Sequence, residues 1–238
     1  MDIGVLAFGA HPDDAEMGCG GLLLKMKAAG FKTGIADLTH GELSTNGNLK
    51  IRARESEQAA EILKLDIREN LGLEDGHIVN DTPSRTKVVD LLRACRPRLV
   101  ITPYHKDRHP DHEHAYQLLK DSIFISGLAK FRTSLPAYRP RVVINYMMHY
   151  EFEPSFIVDI THYFKTKMEA VTSYRSQLYS DYQKQSETRL SSKYFMEVLN
   201  TRNKYHGLKI AAGYGEPYYT EYNIKIDDPL NFFNYIHI

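Results

Sequence analysis

A chain of 238 residues, 42% hydrophobic and 25% charged, can bury roughly 70% of its unfolded surface in one core without disulfide staples. Its 30 basic residues balance its 30 acidic ones with no basic run, which argues against a nucleic-acid or anionic-membrane partner, and no stretch approaches the ~18 apolar residues of a membrane span. The cysteines, Cys19 and Cys95, lack C-x-x-C spacing and read as reduced thiols in a cytoplasmic protein, with no leader pattern before the first strand.

Residues 3–9 read as a strand buried on both faces, and the pattern from Gly20-Gly21 through Leu22-Leu23-Leu24 reads as a helix stopped at Gly30. A weaker alternation over 31–38 gives a second strand. A polar loop with an Asn46-Gly47 turn signal follows, then an amphipathic helix over 51–65. A short strand fits 69–71, a helix 86–95 ended by Pro97, and a strand 99–103 whose Val100-Ile101 core suits a parallel sheet. A helix from about 113 to 126, strands at 142–148 and 156–160, and a helix at 163–174 complete the regular part. Tyr182 to Ser192 is polar, and residues 194–206 form a candidate helix. The stretch 214–238, with Tyr218-Tyr219, Phe232-Phe233 and Tyr235, reads as core or interface packing.

Strands alternating with helices predict an α/β fold with a mostly parallel, doubly wound sheet, in which ligands bind beyond the carboxyl ends of strands where strand order reverses. Two polar stretches follow strands directly: Ala10-His11-Pro12-Asp13-Asp14 and His109-Pro110-Asp111-His112. Taken singly, each is also an ordinary helix start, with Asp as cap and Pro in the first turn. Together, at the ends of two strands of one sheet, they offer two His and one Asp for a zinc ion with an open position for water. The surplus groups divide the work. One of Asp13 and Asp14 can ligate while the other acts as general base, and one imidazole of the second stretch can ligate while the other, if protonated, stabilises developing negative charge. Asp111 between them can hold that imidazole charged. Gly18-Cys19-Gly20-Gly21 lacks dinucleotide-loop spacing and fits close helix-to-strand packing.

These residues resemble the LmbE-like, or PIG-L, family of zinc-dependent N-acetylglucosaminyl deacetylases. The match comprises the Ala10–Asp14 stretch with Glu16, Gly18 and Gly20-Gly21, then Arg52 with Glu55 and Ala59, and Pro103-Tyr104 leading into His109-Pro110-Asp111-His112. It is close over the first 130 residues and loose beyond. Asp37-Leu38-Thr39 and Leu43-Ser44-Thr45-Asn46-Gly47 also look like the bacillithiol branch, which acts on N-acetylglucosaminyl malate, although that branch often has Ala where Pro12 stands.

The resemblance implies a Rossmann-like three-layer sandwich in one domain, 1–238, with a core to about 160 and a helical, aromatic-rich extension over 161–238. It implies that His11, Asp14 and His112 bind Zn2+, with Fe2+ as an alternative in the cell, and that Asp13 is the general base. His109 would be the charged imidazole at the oxyanion, oriented by Asp111. Arg52 and Asp75 would contact the substrate, and Tyr194 would polarise the amide carbonyl. The implied substrate is a small N-acetylglucosamine derivative, and the expected assembly is a homo-oligomer, up to a hexamer. Two rival readings are a metal-dependent phosphoesterase, for which His40 and His105 are the spare ligands, and a carbohydrate- or nucleotide-binding protein with a structural zinc.

Overall fold

In the computed structural model, which describes residues 2–181 and 186–232, the chain alternates strands and helices around one seven-stranded sheet. The order of elements is β1 (Val5–Gly9), α1 (Asp14–Ala28), β2 (Thr33–Thr39), α2 (Leu49–Leu63), β3 (Ile67–Leu73), α3 (Thr82–Cys95), β4 (Leu99–Pro103) and α4 (Pro110–Ser126). These are followed by β5 (Val142–Tyr146), β6 (Phe156–Asp159), α5 (Phe164–Val171), α6 (Phe195–Leu208), β7 (Gly215–Tyr219) and α7 (Pro229–Phe232). Phe233 and Tyr235, part of the aromatic-rich tail, and Tyr182 at the head of the polar stretch lie outside the described residues.

Strand order is β3-β2-β1-β4-β5-β7-β6, and among the described strands only β7 runs against its neighbours. The chain therefore winds outward from β1 to β3, returns, and continues from β4 on the other side of β1. That reversal leaves a crevice between the carboxyl ends of β1 and β4, the strands that lead into the two polar stretches.

Helices cover both faces because successive side chains of each central strand point to opposite sides. Val5 and Ala7 of β1 join Ile35 and Ile101 in a core closed by Leu23, Leu63, Val171 and Leu199, from α1, α2, α5 and α6. Leu6 and Phe8 join Leu38 and Val100 against Val88, Leu92, Leu118 and Leu119 of α3 and α4. Each fully buried Leu or Phe contributes about 1.5–3 kcal/mol. This is the three-layer α/β arrangement.

Several elements differ from the sequence pattern. Helix α3 begins at Thr82 rather than 86, because Asp81 caps it and Pro83 sits in its first turn. Helix α1 begins at Asp14, eight residues before its apolar run at Leu22, because its first turn buries polar groups. Helix α4 begins at Pro110 rather than near 113, with His109 as its cap and Pro110 in its first turn. Residues 215–219, expected within an aromatic-rich extension, form β7 inside the sheet between β5 and β6.

Strand β7 also shapes α1. The helix is broken at Cys19 (φ −144°, ψ 15°), and the freed N–H groups of Gly21 and Leu22 each donate at 2.8 Å to the carboxylate of Glu216. Lys167 of α5 neutralises that buried carboxylate at 2.7 Å, and Tyr218 donates to it at 2.7 Å. Near the same bend, a Cβ on Gly18 would stand 2.2 Å from the Tyr146 ring, so only glycine lets α1 approach β5 this closely.

Candidate active site

Beyond β1 the backbone turns at once. The Ala10 carbonyl accepts from both the N–H and the hydroxyl of Thr39 at 3.0 Å, tying the turn to the end of β2. Asp14 opens α1 and accepts the His11 N–H through Oδ2 at 2.9 Å. Between them Asp13 takes φ 118°, a left-handed value costly for a residue with a Cβ. Arg52 of α2 holds this conformation. Its guanidinium donates through Nε and Nη2 to the Pro12 carbonyl, through Nη2 to Asp13 Oδ2 at 2.9 Å and through Nη1 to Ser44 Oγ at 2.7 Å. Arg52 is thus buried beneath the turn, engaged with Asp13.

The two polar stretches meet. The rings of His11 and His112 have centroids 5.6 Å apart, and those of His11 and His109 are 4.7 Å apart. Asp14 lies between the first pair, with Oδ2 3.4 Å from His11 Nδ1 and Oδ1 3.3 Å from His112 Nε2. The far nitrogen of each ring is held by another carboxylate. His112 Nδ1 is 3.0 Å from Asp107 Oδ1, while His11 Nε2 is 3.1 Å from Asp75 Oδ1 and 3.4 Å from Asp111 Oδ2. Two imidazoles facing one carboxylate, each braced from behind by an acid, are the arrangement of a divalent-metal site.

Electrostatics agree with that fit. Burial alone would lower the pKa of His112, yet Asp14 and Asp107 push it up to about 9, and Asp111, Asp14 and Asp75 likewise raise His11 against its burial. A pocket this rich in carboxylates calls for positive charge, which the rings meet by holding protons that a cation would displace. Burial raises Asp13 to about 7 against the pull of Arg52, with Asp14 acting in the same direction as burial.

His109 caps α4, its Nδ1 accepting the Asp111 N–H at 3.2 Å. Burial, together with His11 and His112, lowers its pKa, and with Nδ1 accepting, the free ring nitrogen Nε2 is the one left to donate. The Asp111 carboxylate faces His11 and accepts the Gly76 N–H at 2.7 Å. Asp75 also turns to His11, and its other oxygen accepts the Leu43 N–H at 2.8 Å. Tyr194, 71% exposed, stands on the wall of a groove of about 680 Å³ that His149 also lines.

His40 and His105 join no set of donors that could hold a metal among the described residues. Two residues not singled out in the sequence do. Asp107 accepts the N–H groups of His109 at 3.0 Å and His149 at 2.8 Å, and the His149 ring lies 5.6 Å from that of His112 at 12°. Burial lowers His149 to about 4. Asp107 could have been found as the acid two residues before His109, and His149 as the polar residue beyond the carboxyl end of a core strand.

A doubly wound α/β protein with two histidines and a carboxylate converging at its switch point has the design of a metal-dependent hydrolase. The family model "PIG-L: GlcNAc-PI de-N-acetylase" matches residues 6–123, and the chain belongs to this family. It is 29% identical over 189 residues to a diacetylchitobiose deacetylase of Thermococcus kodakarensis, covering 74% of this chain and 71% of that protein. The solved structure of conserved protein TT1542 from Thermus thermophilus superposes with a TM-score of 0.86 at 34% identity, covering 94% of this chain and 97% of the other. The N,N'-diacetylchitobiose deacetylase from Pyrococcus horikoshii, complexed with an inhibitor, superposes with a TM-score of 0.78 at 26% identity, covering 90% and 82%.

Proposed function

We propose that this chain hydrolyses the N-acetyl group of an N-acetylglucosamine derivative, releasing acetate and a free amine. The observation that carries this reading is the placement of Asp14 between the ring nitrogens of His11 and His112, with buried Asp13 beside it. Zn2+, or Fe2+ in its place, held by His11, Asp14 and His112, supplies Lewis acidity to the amide carbonyl and the attacking water.

The protein's own groups then do the following. Asp13, with Oδ2 pinned by Arg52, takes the water's proton and returns it to the nitrogen of the breaking C–N bond, so that the amine leaves neutral. His109, a donor through Nε2, hydrogen-bonds the oxyanion of the tetrahedral carbon. Asp107, Asp75 and Asp111 fix the ligand rings, and Arg52 holds the strained turn. Tyr194, on the groove wall, is the residue that would polarise the amide carbonyl.

For the remainder of the substrate we favour a malate aglycone. The groove shared by His149 and Tyr194 carries Arg189 and Arg202, neither within ion-pair distance of a carboxylate among the described residues. Among the described residues Arg202 donates to the Met148 and Met17 carbonyls. These two guanidiniums share the groove with Glu151 and Glu197, and either can pair with a carboxylate of the substrate. Tyr194, Val198, Tyr205 and Leu208, exposed at helical spacing along α6, support the expected self-association.

Amine release from N-acetylglucosaminyl malate, free N-acetylglucosamine and diacetylchitobiose, with and without chelator, tests both levels. Chelator-sensitive release from any of them supports the deacetylase, and release confined to the first supports the malate reading. No release from all three, with metal loaded, overturns the proposal.

A further inference from the structure

We propose that Asp107, His112 and His149 form a second divalent-cation site, behind the His112 ring, whose occupancy inhibits the enzyme. The proposal rests on the reading that His11, Asp14 and His112 hold the working ion. One donor atom from each of Asp107, His112 and His149 lies within 4.8 Å of the others. Tetrahedral zinc with bonds of about 2.0–2.1 Å sets its donors about 3.3 Å apart, so closing the set takes shifts on the order of 1 Å.

The three residues come from separate segments: the loop after β4, the first turn of α4 and the loop after β5. The carboxylate is already fixed, with Oδ1 accepting the His109 N–H and facing His112 Nδ1, and Oδ2 accepting the His149 N–H. The His149 ring nitrogens make no hydrogen bond among the described residues, and the ring borders the 680 Å³ groove, so an ion reaches it from solvent. With two imidazoles and one carboxylate, the set favours zinc, cobalt or copper over magnesium or calcium.

Filling it changes His112. With Nε2 turned to the first site, a cation at Nδ1 must displace the proton now shared with Asp107, so each second ion releases one proton to solvent and leaves the ring bridging two cations. Asp107 ceases to brace His112 and becomes a ligand itself. Losing that brace slows turnover, in contrast to a two-metal hydrolase, where the second ion accelerates it.

Zinc titration of the full chain, read by equilibrium dialysis and by the visible spectrum of the cobalt-substituted protein, tests this. The wild type is expected to bind one ion tightly and a second more weakly, with the rate falling at least tenfold as the second fills. In His149→Ala and His149→Gln, the first ion should remain, while second-site affinity falls at least tenfold and the ratio of rates at excess and at one equivalent of zinc returns towards one. Melting curves identify a variant that has failed to fold, and the other variant then decides. A wild type that binds a single ion up to millimolar zinc, folded variants that keep the second ion with unchanged affinity, or a rate that rises as it binds would each overturn the proposal. Failure of the deacetylase reading shows separately, as no amine release at one equivalent of zinc.

Discussion

Asp13 combines a left-handed backbone, a buried carboxylate and a guanidinium partner, a costly set of features for a residue with no packing role. If it carries the proton, Asp13→Asn should lower kcat by about 10²–10⁴-fold with metal content unchanged, as measured by turnover and metal analysis on the same sample. Asp107 acts through His112. Asp107→Ala should weaken metal binding about 10–100-fold in competition with a chelator, while Asp13→Asn should not. The meeting of His11, Asp14 and His112 was legible in the sequence because two polar stretches each follow a core strand directly. Their supports were not. Asp75 and Asp111 both meet His11, and His149 meets His112, through loops whose approach depends on strand order rather than on any spacing along the chain.

Helices and strands with ordinary amphipathic or fully apolar patterns were readable from sequence, and β4 at Leu99–Pro103 coincides with its pattern. The elements that differed carry buried charge. Glu216 and Pro217 disguise β7, since a glutamate in a core strand makes sense only once Lys167 and the N–H groups of Gly21 and Leu22 are known to meet it. Removing one partner leaves the other charge buried and two N–H groups unmet. Glu216→Ala should therefore cost about 3–5 kcal/mol in denaturant unfolding, and Glu216→Gln, which retains an acceptor oxygen, less. An equal loss in both variants would mean that the hydrogen bonds to α1 contribute nothing beyond the charge pair.

At the scale of the molecule, the candidate metal centre would join the end of β1 to the start of α4, two parts of the chain about a hundred residues apart that otherwise meet through sheet contacts and the loops around Asp75. Their adjacency was legible because an alternating α/β chain reverses its strand order at one place, and the two polar stretches mark it. A cation that binds only the folded state adds about 2.7 kcal/mol at a hundred times its Kd, so chelation should lower Tm by about 5–10 °C, read by calorimetry with and without added zinc. An unchanged melting temperature would separate the ion from the fold.

The carboxylate that bends α1 belongs to a strand 195 positions further along the chain. The helix that opens with Asp14 cannot take its final shape while that strand is still inside the ribosome. A nascent chain therefore carries its histidines and aspartates for most of its synthesis without the bend that completes their setting. The setting of the site is complete only once β7 has paired between β5 and β6.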